Sequence, residues 1–279
     1  MTTTTESDRR SVRETLQDPT IHELWEKTYR TSQCERFYEK VFDRILAAGG
    51  LTTDANALDI GCGIGQHSIR MATRGLKVVA ADFSDNRVAS AQHNIAAYGL
   101  ADRIAVCKED LEQGLSFSPE SFDLVLCWGV IMHIPDNERA MSELVRVARV
   151  GGKIILYEAN LLGLDALTTA VVAILKAALG QSKAKKIVIN RYGLEYWVRA
   201  ESGDLLVRHT RAASLQQFFS AHGCRLEFRT AGQFTEQFSR FARFPAAQSL
   251  IHWFNSAWFS VARVPYFAHG NLFMFRRIA

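Results

Sequence analysis

Apolar residues recur at helical spacing between His22 and Ala48: Leu24, Trp25, Tyr29, Phe37, Tyr38, Val41, Phe42, Ile45 and Leu46. That period predicts a helix with one buried stripe, ended by Gly49-Gly50. From Ala57 the pattern changes to short apolar runs alternating with amphipathic stretches. The runs Ala57–Ile60, Lys77–Phe83, Arg103–Lys108, Phe122–Trp128 and Lys153–Tyr157 predict strands, the last entered through the Gly151-Gly152 turn. The stretches Gln66–Arg74, Ser84–Tyr98 (capped by Ser84) and Asn137–Arg149 predict helices between them. This alternation predicts an α/β fold, a mostly parallel, doubly wound sheet with helices on both faces. Ligands on such sheets bind beyond the strand C-termini.

After Glu158 the rhythm breaks. Leu161–Leu179 predicts an apolar, Ala-rich helix, interrupted by Asp165 and Lys176 and too short and polar to span a membrane. It reads first as a cover over a substrate cavity. The basic run Lys183–Lys186 behind it gives a second reading, peripheral contact with a membrane surface. Ser214–His222 predicts a helix, Arg225–Arg229 a strand, the aromatic-rich Phe234–Tyr266 a helical stretch, and Asn271–Arg277 a final strand. The expected organisation is a helical N-terminal segment and tail (1–50), a core (51–160), an inserted cap (161–213) and C-terminal core strands with an aromatic-rich insertion (214–279).

Composition adds little until charge is divided along the chain. The 48% hydrophobic and 22% charged content is ordinary for a globular protein. Met1–Asp18 has no apolar run, so no secretory leader is expected, the first residues are expected to be mobile, and the location is expected to be cytoplasmic. The five cysteines are scattered without a CxxC pair, which predicts neither a disulfide framework nor a metal site. The net charge of +4 hides an asymmetry: from Asn160 onward 15 basic side chains face 6 acidic ones, against 18 and 23 before it. The basic part suits an acidic substrate, an anionic membrane or nucleic acid, or is simply a solvated surface. Nothing in the sequence specifies an oligomeric state.

The chemistry concentrates at Ala57–Gly65, Ala-Leu-Asp-Ile-Gly-Cys-Gly-Ile-Gly. Gly61 and Gly63 allow a tight turn and a close backbone approach to a ligand, and Gly65 allows close packing of helix on strand. Cys62 between them reads as a small filler beside the ligand. The third glycine comes one position earlier than in a dinucleotide fingerprint, and Asp59 precedes the first by two, an anion better suited to an ammonium than to pyrophosphate. Asp82, followed by Phe83, ends the second predicted strand and can accept from both hydroxyls of a ribose. Glu109-Asp110-Leu111 ends the third, where a carboxylate accepts from an adenine amine and Leu111 covers the ring. Three acidic strand ends in order describe a nucleoside with a cationic tail, such as S-adenosylmethionine.

With Phe122–Trp128, Met132-His133-Ile134-Pro135-Asp136 and the Gly151-Gly152 turn, these motifs are in order and spacing. The sequence resembles the class I S-adenosylmethionine-dependent methyltransferases of the small-molecule type, which includes the ubiquinone and menaquinone methyltransferases. The resemblance covers about Asn56 to Asn160. It implies a seven-stranded Rossmann-like sheet, S-adenosylmethionine as cofactor with S-adenosylhomocysteine as product, and transfer of the sulfonium methyl by in-line displacement. Trp128 reads as core or as a wall of the cofactor site.

A hydroxyl acceptor needs a base. His133, just beyond the fourth strand and with an ordinary imidazole pKa of about 6.5, is the first candidate, and Glu158, at the end of the fifth, the second. His133 also counts among the cofactor contacts. Trp25 and Tyr29, with Arg191, Tyr192, Trp197 and His209, are the expected contacts of a partly apolar, acidic small molecule, since arginines fork onto acids and aromatics cover apolar bodies. The nearest rivals are an RNA or other nucleic-acid methyltransferase and a non-catalytic S-adenosylmethionine-binding regulator. The run Cys127-Trp128-Gly129-Val130 lacks the proline that exocyclic-amine methylating enzymes carry there, so nucleic acid is not the expected partner.

Overall fold

The computed structural model describes residues 6–179, 184–199, 202–241, 243–261 and 265–279. The first residues, expected to be mobile, and Lys183 lie outside the described residues. The chain divides into two compact units. The first, called here the sheet unit, comprises Glu39–Tyr157, Gln216–Phe228 and Phe273–Ala279. The second, the insertion unit, comprises the residues up to Tyr38, Glu158–Leu215 and Arg229–Leu272.

The strands β1 (Asn56–Ile60), β2 (Lys77–Asp82), β3 (Ile104–Lys108), β4 (Phe122–Trp128), β5 (Ala148–Ala159), β9 (Cys224–Ala231) and β10 (Gly270–Arg277) form one seven-stranded sheet. Their order is β3-β2-β1-β4-β5-β10-β9. The β1–β2, β1–β4, β2–β3 and β4–β5 pairs are parallel, with Asp59 beside Ala80 and Leu126. β1 and β4 are buried almost throughout, which is why they are continuous apolar runs instead of alternating ones. The helices α4 (Gln66–Ala72), α5 (Asp85–Ala97) and α6 (Asn137–Val147) connect them. Ser84 is the residue before α5 as expected, although its side chain makes no cap bond. β5 begins before Gly151-Gly152: the glycines lie inside the strand, where the register with β4 shifts. A Cβ on Gly152 would stand 2.9 Å from the Arg149 carbonyl oxygen, so the irregularity requires glycine there.

The predicted helix His22–Ala48 is two helices, α2 (Pro19–Tyr29) and α3 (Ser32–Gly49). Asp18 caps α2 by accepting from the Thr20 N–H at 2.9 Å, with Pro19 in the first turn. Thr31 Oγ1 accepts from the Cys34 N–H at the start of α3. A second cap inside an unbroken apolar period is what separates them. Ahead of both lies α1 (Glu6–Gln17), a mostly polar helix whose apolar side is the single pair Val12 and Leu16.

In the insertion unit, α7 (Leu164–Ala178) follows β5 where a helix was expected. The segment beyond it is a three-stranded antiparallel sheet: β6 (Ala184–Asn190), β7 (Gly193–Arg199) and β8 (Asp204–Thr210), with Trp197 opposite Leu206 and Leu194 opposite His209. Val12 of α1 packs with Trp197 and Leu206. After α8 (Ala212–Ala221), the described residues of the stretch Phe234–Tyr266 are helical in α9 (Pro245–Val261) and in a single turn at Gln237–Ser239 and not elsewhere. Asn255 of α9 accepts from the N–H groups of Phe234 and Thr235 and donates to the Thr235 carbonyl, holding that loop extended. Among the described residues no helix is long and apolar enough to cross a membrane.

Candidate functional site

The expected cofactor residues gather at the C-terminal ends of β1 to β4, all within the sheet unit. The glycine loop is built by three different constraints. Gly61 has φ +72°, and a Cβ there would overlap the Val130 side chain. Gly65 has φ +82°, and a Cβ would press on Ala91 and Ile95 of α5 at 3.3–3.5 Å, so it serves close packing. Gly63, at φ +57°, has nothing within 4 Å of its Cβ position. That open side is where a ligand can reach the backbone. Cys62 is buried, and burial pushes its thiol well above the usual range, which keeps it inert.

Two buried carboxylates flank this opening. Asp59 is almost fully enclosed and accepts from the Ser68 hydroxyl at 2.6 Å. Burial pushes its carboxyl up to about 6, against the Ser68 bond, and Asp82 adds to the rise. The cation that acts on it, Arg70, is bonded to Glu39 at 3.1 Å. Asp82 accepts from the Gly63 N–H through one oxygen (2.9 Å) and from the Ser84 N–H through the other (3.0 Å). It therefore both fixes the glycine loop and starts α5. Phe83 beside it is partly exposed. Glu109 turns away to Ser116, accepting from its N–H at 2.9 Å and from its hydroxyl. Asp110 accepts from the Glu112 N–H at 3.0 Å, and Leu111 is buried next to it.

Trp128 belongs to a ladder of rings that sequence reasoning missed. It stacks on Tyr157, its partner in the β4–β5 register, with centroids 4.3 Å apart and planes 6° apart. His67 lies 4.8 Å from it and stacks in turn on Phe42 of α3 at 4.9 Å. His67 Nδ1 lies 3.1 Å from an Arg70 guanidinium N–H, which can only donate, so Nδ1 accepts and Nε2 carries the proton. Burial, with Arg70, lowers the His67 pKa well below its usual value and keeps the ring neutral. The legible signal was Gly65-Gln66-His67, a histidine in the first turn after the glycine loop. His133 lies in the short turn Ile131–His133 after β4, partly exposed.

The remaining candidates lie in the insertion unit. Glu158 is fully buried, with the Thr210 hydroxyl at 3.5 Å. His209 is buried and lowered to about 4, by burial first and by the nearby His269 second, so it is neutral. The Arg191 guanidinium lies 4.7 Å from the Tyr192 ring centroid and donates to that residue's hydroxyl at 2.5 Å. Trp197 lies within the core cluster with Val12 and Leu206. Trp25 meets His22 edge-on, and Tyr29 donates to Glu236 at 2.8 Å. Glu236 in turn belongs to a cluster the sequence did not reveal: His269 lies 3.1 Å from Glu236 and 3.3 Å from Asp165. Burial alone would lower His269, but the two carboxylates outweigh it and hold it at about 10.

The sequence and the fold are similar to those of known proteins. A methyltransferase domain family matches residues 58–156. The methyltransferase GfsG of Streptomyces halstedii is 31% identical over 140 residues, 50% of this chain and 49% of that protein. An S-adenosyl-L-methionine-dependent Diels-Alderase of Neonectria sp. is 31% identical over 134 residues, 48% of this chain and 50% of that protein. The chain thus spans about half the length of these curated relatives. An S-adenosylmethionine-dependent methyltransferase of Clostridium acetobutylicum superposes with a TM-score of 0.59 at 13% identity, over 92% of this chain and 98% of that one. The (4+2)-cyclase SpnF superposes with a TM-score of 0.57 at 17% identity, over 86% of this chain and 80% of that one. The fold is the Rossmann-like methyltransferase fold, and the domain at 58–156 is of the class I, S-adenosylmethionine-dependent kind.

Proposed function

We propose that the chain, which carries a class I S-adenosylmethionine-dependent methyltransferase domain at residues 58–156, transfers a methyl group to a hydroxyl, amine or carbon of a partly apolar, acidic small molecule. The observation that carries this reading is the open side of Gly63 between the buried carboxylates of Asp59 and Asp82. The residues fit the cofactor. Asp59 is a carboxylate taken out of water, and an ammonium would stabilise it there. Asp82, which accepts from the Gly63 and Ser84 N–H groups at the end of β2, would take the ribose hydroxyls. Asp110 with Leu111 would take the adenine, since Glu109 is committed to Ser116. Phe83 would lie beside the nucleoside, and the Trp128–His67 rings would wall the methionine end.

S-adenosylmethionine, when bound, supplies a methyl group already activated by its positive sulfur. What the chain adds is alignment and proton removal. His133 is the proposed base for a hydroxyl or amine proton, with Glu158 the second candidate. In the insertion unit, exposed Arg191, held over the buried Tyr192 ring, offers a cation suited to an acidic acceptor, with Tyr192 the proposed contact beside it. Trp25, Tyr29 and neutral His209 are the further proposed acceptor contacts.

The test is formation of S-adenosylhomocysteine from S-adenosylmethionine in the presence of extracts or acidic aromatic and lipid-like acceptors. Binding of the cofactor without any turnover across such acceptors would count against methyl transfer. It would favour a second reading, suggested by the Diels-Alderase match: ring closure with S-adenosylmethionine held unreacted. Product formation that leaves S-adenosylmethionine undiminished would establish that second reading.

A further inference from the structure

Two helices of the insertion unit have polar inner faces and apolar outer ones. α9 contains no charged residue. Its inward positions are His252, Asn255 and Phe259, whereas Leu250, Trp253, Phe254 and Val261 face outward, Trp253 being 67% exposed. α7 repeats the arrangement. Asp165 points inward and accepts from the Thr235 hydroxyl and the Glu236 N–H, while Leu164, Leu167, Val171 and Leu175 follow one another along its exposed side. Both polar sides are fastened to the same segment, Phe234–Glu236, where the Phe254 ring also meets Phe234, while Leu250, Trp253 and Val261 stay exposed. Immediately before α9, Arg240, Phe241, Arg243 and Phe244 are all exposed. Exposed Trp, Phe and Leu side chains on both helices mark a surface that meets something apolar.

We propose that this face lies in the surface of an anionic lipid bilayer, with α9 in the plane of the headgroups. An uncharged helix with an apolar side embeds at the level where headgroups meet acyl chains, and exposed indole and phenyl rings are at home at that depth. Arg240 and Arg243 stand where α9 begins, placed for lipid phosphates. The chain after Asn160 has the same sign overall, with 15 basic against 6 acidic side chains. The sequence of α7 and α9 contains a single carboxylate, Asp165, which faces inward. That count argues against a second copy of the chain as the occupant. A two-fold interface on this face would bring Arg240 and Arg243 together with their counterparts, with no outward acid on either helix to pair them. Among the described residues no helix is fit to span a membrane, so the contact is one that lies on the surface.

The test is co-sedimentation of the full chain with vesicles of phosphatidylcholine alone and of phosphatidylcholine with an equal part of phosphatidylglycerol. The wild type is expected to pellet with the anionic vesicles and to be released by salt. Leu250→Glu/Trp253→Glu and Arg240→Glu/Arg243→Glu should each lower partitioning about tenfold or more. All four side chains are exposed, and thermal unfolding of each variant checks that the fold is retained. Equal, weak pelleting with both vesicles, or partitioning unchanged in Leu250→Glu/Trp253→Glu, would overturn the proposal. So would a concentration-dependent dimer in sedimentation velocity that the Leu250→Glu/Trp253→Glu variant disperses, which assigns the face to a second copy. The readout is independent of turnover, so its failure and that of methyl transfer are separable.

Discussion

Asp59 is a carboxylate held where water cannot reach it, and its chemistry follows from that. With its carboxyl pushed up by burial to about 6, it is charged above that pH and neutral below it. The affinity for S-adenosylmethionine is therefore expected to weaken as pH falls through about 6, because the ammonium then loses its anion. Calorimetric titration across that range should show the trend in the wild type and its absence in Asp59→Asn. That variant should bind about tenfold to a hundredfold more weakly above pH 7. Equal affinity at every pH in the wild type would remove Asp59 from the cofactor's contacts. Gly61 gives a second prediction at this scale. Gly61→Ala meets Val130 and a left-handed backbone at once, and should cost about 2–3 kcal/mol in urea unfolding. Adding Val130→Ala should return the steric part and leave about 1 kcal/mol.

Among the elements, the insertion unit is tied together by the Asp165–His269–Glu236–Tyr29 cluster, which joins α2, α7, the loop after β9 and the approach to β10. His269 has its pKa raised, so its contribution to stability is full below the ordinary imidazole pKa and is lost as pH rises through about 10. Burial opposes ionisation of Asp165, yet bonds from His269, the Glu236 N–H and Thr235 hold it at about 2, so its contribution is present above the ordinary carboxylate pKa and lost as pH falls through about 2. His269→Ala leaves two enclosed carboxylates without their cation and should destabilise by about 3 kcal/mol near neutrality, read as a lowered denaturant midpoint. A midpoint unchanged from wild type at neutral pH would show that the cluster is not a tie. None of this was legible beforehand. Its members lie far apart in the chain, and only the return of β10 beside β5 brings His269 to Asp165. The break between α2 and α3 was legible in principle, in the cap residue Thr31, but the unbroken apolar period outweighed it.

For the whole molecule, the reading of methyl transfer rests on how the domain at 58–156 and the basic, aromatic remainder divide the work. His133→Ala is expected to lower kcat about a hundredfold or more with an acceptor that must lose a proton, while leaving the affinity for S-adenosylmethionine within about twofold. Unchanged turnover would take His133 off the list of bases. The alternation of strands and helices between Asn56 and Tyr157, the glycine loop and the acidic residues at three strand ends were legible in the sequence alone. The reason is physical: buried parallel strands demand continuous apolar runs, and a tight turn against a ligand demands glycine, so both constraints are local and survive in the order of residues. What only the tertiary structure decided is non-local. It turned Glu109 toward Ser116 and left Asp110 at the strand end, and it drew Phe42, His67 and Tyr157 from three separate elements into a ladder with Trp128. It also turned the polar sides of α7 and α9 inward, because the carboxylate of Asp165 and the amide of Asn255 find their partners on Phe234–Glu236 and not in water. An apolar period along a helix says that one side avoids water; which neighbour that side meets is fixed only when the chain has folded.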